Sequence, residues 1–486
     1  MKELALSLLS KANSAVRQQV GPGLPSSTIA AYNVARGKPT SSHVCHAPFS
    51  NMYFNVHGDC APCWLTFFDP DSYPAKSLHE IWFGEKFQNL RQSLQRFDLT
   101  HKCNVCLKNL QTGNYTSLLA RAYDVNPVAK YPAMMELELG NTCNLECVMC
   151  IGELSSSIRK NREKLPALRS PYDEAFVMQL EEFIPHLKEL RFNGGEPFLI
   201  GIVYKIFEKV ERLNPKLKIV IATNGTVLNN KVREWLGKLN IHINFSLDSL
   251  TPSIYETIRV NAKFSRTMEH FEYFHGYCQE NNRTFCLMVN PMRNNWHEMP
   301  NFIRFVNEKK VNIWFNTIHR PVEWAIWSLP SSELEIVYTT LSSSLHQYPE
   351  SAVGLEKYNL NIFRNLVEVQ IKNWWKESEQ REETTQVSLS QADNSSAQSL
   401  VIKNLTSFVY LHFNESEDQK KQRISELISK LDSVNNLLQQ RNGDVQFFLL
   451  IMDTPSDVLY TRLETAEVKR LVEDFETHVL QRNALN

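Results

Sequence analysis

Cys143, Cys147 and Cys150 form a C-x3-C-x2-C run directly after the strand-like segment Met135 to Leu139. Three thiolates at this spacing can hold three irons of a four-iron cluster and leave the fourth without a protein ligand, open to bind and activate another molecule. Zinc is the other candidate. It takes four nitrogen or sulfur ligands, and the next histidine after Cys150 is His186, far outside the loop. A fourth ligand could arrive from elsewhere in the fold, so spacing alone leaves both open.

The chain has 10 cysteines. Besides the loop, Cys45, Cys60 and Cys63 form one group and Cys103 and Cys106 another, while Cys278 and Cys286 stand alone. Such C-x2-C clustering in a chain without an export signal argues for metal ligation over a disulfide framework. The two solitary cysteines read as core thiols.

The elements that must carry these residues repeat one unit from about 133 to 318: a short apolar run, then an amphipathic run of helical period. This pattern predicts parallel strands with helical crossovers. The strand candidates are Met135 to Leu139, Leu187 to Phe192, Leu217 to Ala222, Ile241 to Ser246, Thr284 to Val289 and Val311 to Thr317. The polar and glycine-bearing motifs all follow strands: the cysteine loop, Asn193-Gly194-Gly195-Glu196-Pro197, Thr223-Asn224-Gly225, Ser246-Leu247-Asp248 and Asn290-Pro291. They therefore collect at one edge of one sheet. Six units fit either an open doubly wound sheet or a partial barrel.

Flanking this core, residues 1–42 read as a helix and connector, 43–130 as a compact cysteine-bearing region, and 321–375 as a helical extension. Residues 376–400 have the composition of a polar linker. Residues 401–486 read as an α+β module, with strands at Leu405 to Phe413 and Val445 to Met452. Between them lies a helix whose apolar face is Ile424, Leu427, Ile428, Leu431, Val434 and Leu438.

At 486 residues, two or three domains are expected. A net charge of -1 gives no reason to favour nucleic acid or an anionic membrane. No apolar segment is long enough to span a bilayer or placed to act as a secretion signal, so a cytoplasmic location is expected.

With Gly194-Gly195-Glu196-Pro197 after the second strand and the cysteine loop after the first, residues of about 130–320 resemble the radical S-adenosylmethionine superfamily. The resemblance implies a partial (β/α)6 TIM-like barrel at 131–320. There Cys143, Cys147 and Cys150 hold a [4Fe-4S] cluster, and the open iron chelates S-adenosylmethionine (AdoMet). An external one-electron donor such as a flavodoxin or ferredoxin drives cleavage to a 5'-deoxyadenosyl radical. It also implies that Gly194, Gly195 and Glu196 meet the methionine amino group, that Ser246 and Asp248 contact the ribose, and that Asn224 is a further candidate cofactor-binding residue.

Read as residues alone, Gly194-Gly195 and Asn224-Gly225 could each be a plain turn, and Asp248 could cap the helix near Pro252. Arg259 resembles an arginine that approaches the methionine carboxylate in some relatives, and a helix-surface ion pair is the alternative. Met149 stands where the family usually has an aromatic residue, and its thioether could still pack against adenine.

Upstream, Cys45-His-Ala-Pro-Phe, Gly58-x4-Cys63, Leu78-His-Glu-Ile-Trp82 and Cys103-Asn-Val-Cys106 resemble the SPASM and twitch domains of peptide-modifying radical enzymes. Those domains usually follow the core, whereas here the segment precedes it. Cys45, Cys63, Cys103 and Cys106 would then close an auxiliary [4Fe-4S] cluster, with a structural zinc as the alternative and Cys60 left over. The resemblance implies net oxidation of a peptide or protein side chain. A small-molecule or carbohydrate dehydrogenase or epimerase is the alternative, and a zinc-binding interaction protein is the reading without catalysis.

Overall fold

The computed structural model describes residues 24–389 apart from 39–40, 42, 66–70, 100–102, 112, 116–117, 125–127, 320 and 350, together with parts of 398–472. The described chain divides into two compact units, 1–328 with 336–372 and 329–335 with 373–486.

The first unit is built on one sheet. All six predicted strands are present, as β4 (Met134–Glu138), β5 (Glu189–Asn193), β6 (Lys218–Thr223), β7 (Ile241–Ser246), β8 (Phe285–Val289) and β9 (Asn312–Phe315). They pair in parallel in chain order. Three strands from the cysteine-bearing region precede them: β1 (Asn51–Phe54), β2 (Asp59–Ala61) and β3 (Asp71–Ser72).

The sheet order is β3-β2-β1-β4-β5-β6-β7-β8-β9. β2 and β3 are antiparallel, but β1 runs parallel to β4, with Met52 opposite Met135 and Phe54 opposite Leu137. The upstream region is thus continuous with the core sheet. The result is an α/β fold, a partial (β/α)6 barrel extended by one parallel strand and a hairpin. At its far end Asn359, on helix Gly354–Arg364, accepts from Ile313 N at 3.1 Å and donates to Val311 O at 3.0 Å. It satisfies backbone groups that an end strand otherwise leaves open.

Strand period divides the two faces. Leu137, Leu190, Phe192, Ile219, Ile221, Ile243, Phe245, Leu287, Val289 and Ile313 are buried and form the face covered by helices. Phe192 meets Phe207 of helix Gly201–Leu213 edge to face, and Phe245 meets Phe271 of helix Phe264–Glu280 likewise, with ring centroids 5.6 and 5.5 Å apart. The alternate residues line the inner face, among them Glu136, Glu138, Arg191, Asn193, Asn244, Ser246, Cys286 and Met288. Cys286 is therefore on the barrel interior, while Cys278 is a core thiol on a helix, 1% exposed.

In the second unit, helix Glu417–Asn442 buries Leu427, Leu431, Val434 and Leu438 against Val401, Leu405, Phe448 and Leu471, as its apolar face predicts. The strands expected beside it are not found among the described residues. Residues 401–406, 409 and 448 are helical, and the rest of Leu405 to Phe413 and Val445 to Met452 lies outside the described residues. The expected linker at 376–400 is also corrected, because helix Lys372–Leu389 runs through its first half. Its Glu, Gln, Lys and Arg residues combine polarity with good helix propensity.

The turn after β6 needs glycine. Gly225 has φ +74°, and a Cβ there would stand 2.2 Å from the Phe245 ring. Gly225→Ala combines backbone strain with displacement of a buried ring and is expected to cost about 2–4 kcal/mol in denaturant unfolding.

Candidate functional site

The cysteine loop is fixed by its backbone, which leaves its thiols for ligation. Ser156 and Ser157 both donate to Cys143 O, and Ser156 Oγ accepts from Cys143 N. Arg162 donates to the carbonyls of Glu146, Cys147 and Cys150 at 3.1–3.2 Å. Glu146 N and Val148 N donate to Val260 O and Ile258 O, tying the loop to the end of helix Pro252–Ile258. None of these anchors was evident from sequence, because serine and arginine are common surface types.

Burial raises all three thiol pKa values, Cys147 to about 12 and Cys150 to about 11. A bare thiolate is costly here, and bound iron compensates that cost. Two further groups help. Asn224 Nδ2 points at Cys143 Sγ from 3.7 Å, and the Arg259 guanidinium favours the ionised form of all three thiols. Among the described residues no three His, Cys, Asp or Glu side chains are gathered as ligands of a single metal ion. A four-iron cluster asks for a different arrangement, with thiolates spread around the corners of a cube.

The glycine motif after β5 forms a cradle. Gly194 and Gly195 have φ of +75° and +54°, and a Cβ on Gly195 would stand 2.6 Å from Thr142 O. The backbone here closely approaches the cysteine loop, and Glu196 N donates to Thr142 O at 2.8 Å.

Glu196 itself departs from expectation. It is fully buried, and its carboxylate accepts from Thr223 Oγ1 at 2.9 Å, Asn224 N at 2.7 Å and Phe198 N at 3.2 Å. These bonds bracket the ends of β5 and β6, so the carboxylate positions Asn224 and is not available to the cofactor's ammonium group. Thr223, which the sequence showed within the motif after β6 but without a role, is part of this bracket. Asn224 is more than a turn residue, since it also donates to Asn144 Oδ1 at 3.1 Å.

Asp248 and Arg259 also differ from expectation. Asp248 is 0% exposed and accepts from Asn290 N and Nδ2, both at 2.8 Å. Its other oxygen faces Arg259 Nε at 2.8 Å, a charge contact whose angle falls outside hydrogen-bond geometry. Asp248 therefore braces the loop after β8 and aims Arg259, and its carboxylate does not face outward to a ribose. Arg259 is 5% exposed, so the surface ion pair is excluded. Burial opposes its charge, but Asp248 and Cys147 outweigh that and raise its pKa. Ser246 lies on the inner face opposite Met288. Met149 packs with Ile258, Met292, Ile318, Trp324 and Trp327 in an apolar cluster beside the loop.

The upstream thiols form a second site. Cys45, Cys63, Cys103 and Cys106 line one cavity, walled by Leu90, Leu94, Leu119 and Tyr123. Ala47 N donates to Cys45 Sγ at 3.3 Å. Burial again raises the thiol pKa values of Cys45, Cys103 and Cys106, that of Cys106 to about 11. Cys60 is buried on β2 beside Asp71 and Asp59 and is not among the residues lining this cavity, whereas Cys63 is. Four enclosed thiols and no open position fit a closed cluster, whereas the three-thiol loop beside the glycine cradle fits a cluster with one open iron.

Glu196 gives a pH test. Burial raises its pKa from 4.5 to about 7 despite its hydrogen bonds. Such a group contributes stability that is fully present below pH 4.5 and lost as pH rises through about 7. Glu196→Gln should remove this part of the slope, up to roughly 3 kcal/mol, in urea unfolding compared with the parent chain between pH 4.5 and 8.

Comparison with known proteins agrees with this geometry. Residues 137–306 match the radical SAM superfamily and residues 45–107 match SPASM, an iron–sulfur cluster-binding domain. Among curated proteins, GTP 3',8-cyclase of Clostridium botulinum is 24% identical over 139 residues, 28% of this chain and 42% of that protein. The Streptomyces coelicolor enzyme of the same name is 30% identical over 140 residues, covering 28% and 38%. The chain thus spans less than half the length of these relatives. Among solved structures, Streptococcus suis SuiB bound to S-adenosylmethionine aligns with a TM-score of 0.34 and 14% identity over 54% of this chain and 53% of that one. Native anSMEcpe with bound AdoMet gives 0.35 and 18% over 44% and 59%. The chain thus carries a radical SAM domain at 137–306 preceded by a SPASM domain at 45–107, and these domains imply iron–sulfur clusters and AdoMet as cofactors.

Proposed function

We propose that this enzyme oxidises a peptide or protein side chain by removing two hydrogens, using Cys143, Cys147 and Cys150 for the AdoMet cluster and Cys45, Cys63, Cys103 and Cys106 for the auxiliary one. When bound, the first cluster with AdoMet supplies a 5'-deoxyadenosyl radical and the second an electron acceptor. The observation that carries the reading is the enclosed four-thiol cavity on a region whose β1 continues the core sheet. An acceptor fixed to the same sheet as the reaction chamber suits net oxidation.

The chain's own residues divide the work. Gly194 and Gly195 let the backbone approach the methionine group closely. Arg259, aimed by Asp248, supplies positive charge beside the cluster loop, and Met149 with Trp324 and Trp327 offers an apolar wall to adenine. Ser246 offers a hydroxyl to the ribose. Asn193, Asn244 and Ser246 on the inner face present amide and hydroxyl groups suited to peptide backbone.

The second reading, a small molecule such as the nucleotide named in the relatives, is less well served by that face. Its cations Arg191 and Lys218 each pair with Glu189, while Glu136 and Glu138 add negative charge that disfavours a triphosphate.

Anaerobically purified protein should be brown with roughly eight irons per chain, four for each cluster. Reduction with AdoMet should release 5'-deoxyadenosine, and Cys147→Ala should abolish that release. Turnover with peptides encoded by neighbouring genes, read by mass, should show loss of two hydrogens. A colourless protein that resists cluster reconstitution contradicts the proposal.

A further inference from the structure

The inner face carries a carboxylate whose hydrogen-bond partner comes from the other domain. Glu138 ends β4 opposite Asn193, and its side chain lies against the glycine cradle, where a Cβ on Gly194 would stand 3.0 Å from Glu138 Cβ. Tyr53, on β1 of the SPASM-bearing region, donates its hydroxyl to Glu138 Oε2 at 2.8 Å. The neighbouring Glu136 is differently placed. It accepts from Asn51 Nδ2 at 2.9 Å and Tyr123 OH at 3.3 Å, and stands 3.7 Å from Arg191.

The titratable groups facing Glu138 are Tyr53 from β1, Glu136 from β4, Glu153 from the loop after Cys150, and Tyr172 from the segment before helix Glu174–Phe183. None of them is cationic, and Glu153 has its own partner in His57 at 3.4 Å. Burial first, then the like charges of Glu136 and Glu153, push the Glu138 pKa up to about 7, while the Tyr53 hydrogen bond pulls it down. A carboxylate in this range can both take and release a proton near neutral pH, as efficient acid–base catalysis requires.

We propose that Glu138, held by Tyr53, is the base that takes the substrate's proton, so that the two domains jointly build the acid–base site. The proposal rests on the oxidative reading above. The substrate first loses a hydrogen atom to the 5'-deoxyadenosyl radical. The remaining carbon radical then loses one electron to the auxiliary iron–sulfur cluster and one proton to Glu138 Oε, which leaves a new double bond or crosslink. Glu138, now a carboxylic acid, returns its proton to solvent.

Two measurements on the anaerobic holoenzyme test this. The first needs no turnover: coupling of an amine to Glu138 by a water-soluble carbodiimide, which consumes the protonated acid, read by peptide mass across pH. Labelling should be half-maximal near pH 7, and Tyr53→Phe should move the midpoint upward because the lost hydrogen bond favoured the carboxylate. A midpoint in the ordinary carboxylate range, or no labelling at any pH, overturns the proposal.

The second measurement is oxidised product formed per 5'-deoxyadenosine. Glu138→Gln should lower this ratio by about 100-fold or more. Tyr53→Phe should shift the acid limb of the product-forming pH profile to higher pH, a change that a merely structural role does not produce. A wild-type ratio in Glu138→Gln overturns this proposal alone. If the parent enzyme releases 5'-deoxyadenosine but no peptide loses two hydrogens, the oxidative reading falls and the proposal falls with it.

Discussion

A buried thiol can ligate iron only after it has lost its proton, and burial makes that loss expensive. Seven thiols in this chain are candidate ligands, three in the core loop and four in the upstream cavity, and burial raises the pKa of Cys45, Cys103, Cys106, Cys143, Cys147 and Cys150. Much of the surrounding structure answers this constraint. Backbone bonds from Arg162, Ser156 and Ser157 hold the loop without engaging its sulfurs. Arg259 adds positive charge, Asn224 adds an N–H aimed at Cys143, and Ala47 N does the same for Cys45.

The buried carboxylates form a further layer of this arrangement. Glu196 ties the cradle after β5 to the turn after β6, and Asp248 ties β7 to the loop after β8 while aiming Arg259. Each is an acid placed where acids are unfavourable, and each is stabilised by several donors or a cation. They keep the strand ends at fixed spacing, which is what a site assembled from five separate loops requires.

The core was legible in sequence because parallel strands buried on one face leave strong apolar runs, and the motifs between them are short. All six strands were found within a few residues of their observed ends. The carboxylate roles were not legible, since sequence shows that Glu196 and Asp248 are acids but not whether they face inward. β1 was missed for another reason: it has four residues, and its partner β4 begins about 80 residues later. Around Leu405 and Phe448 a short apolar run suits helix or strand equally, and the helix won.

β1 has a consequence for how this protein can be divided. Domain boundaries drawn from motif matches would place a cut between the cysteine-bearing region and the barrel. That cut would remove the strand paired with β4 and expose a row of unsatisfied amide and carbonyl groups beside an apolar face. A shortened barrel made that way would present a sticky margin to its own copies and would tend to assemble edge to edge. The segment that carries the auxiliary thiols is thus also the guard that keeps the catalytic sheet from self-association.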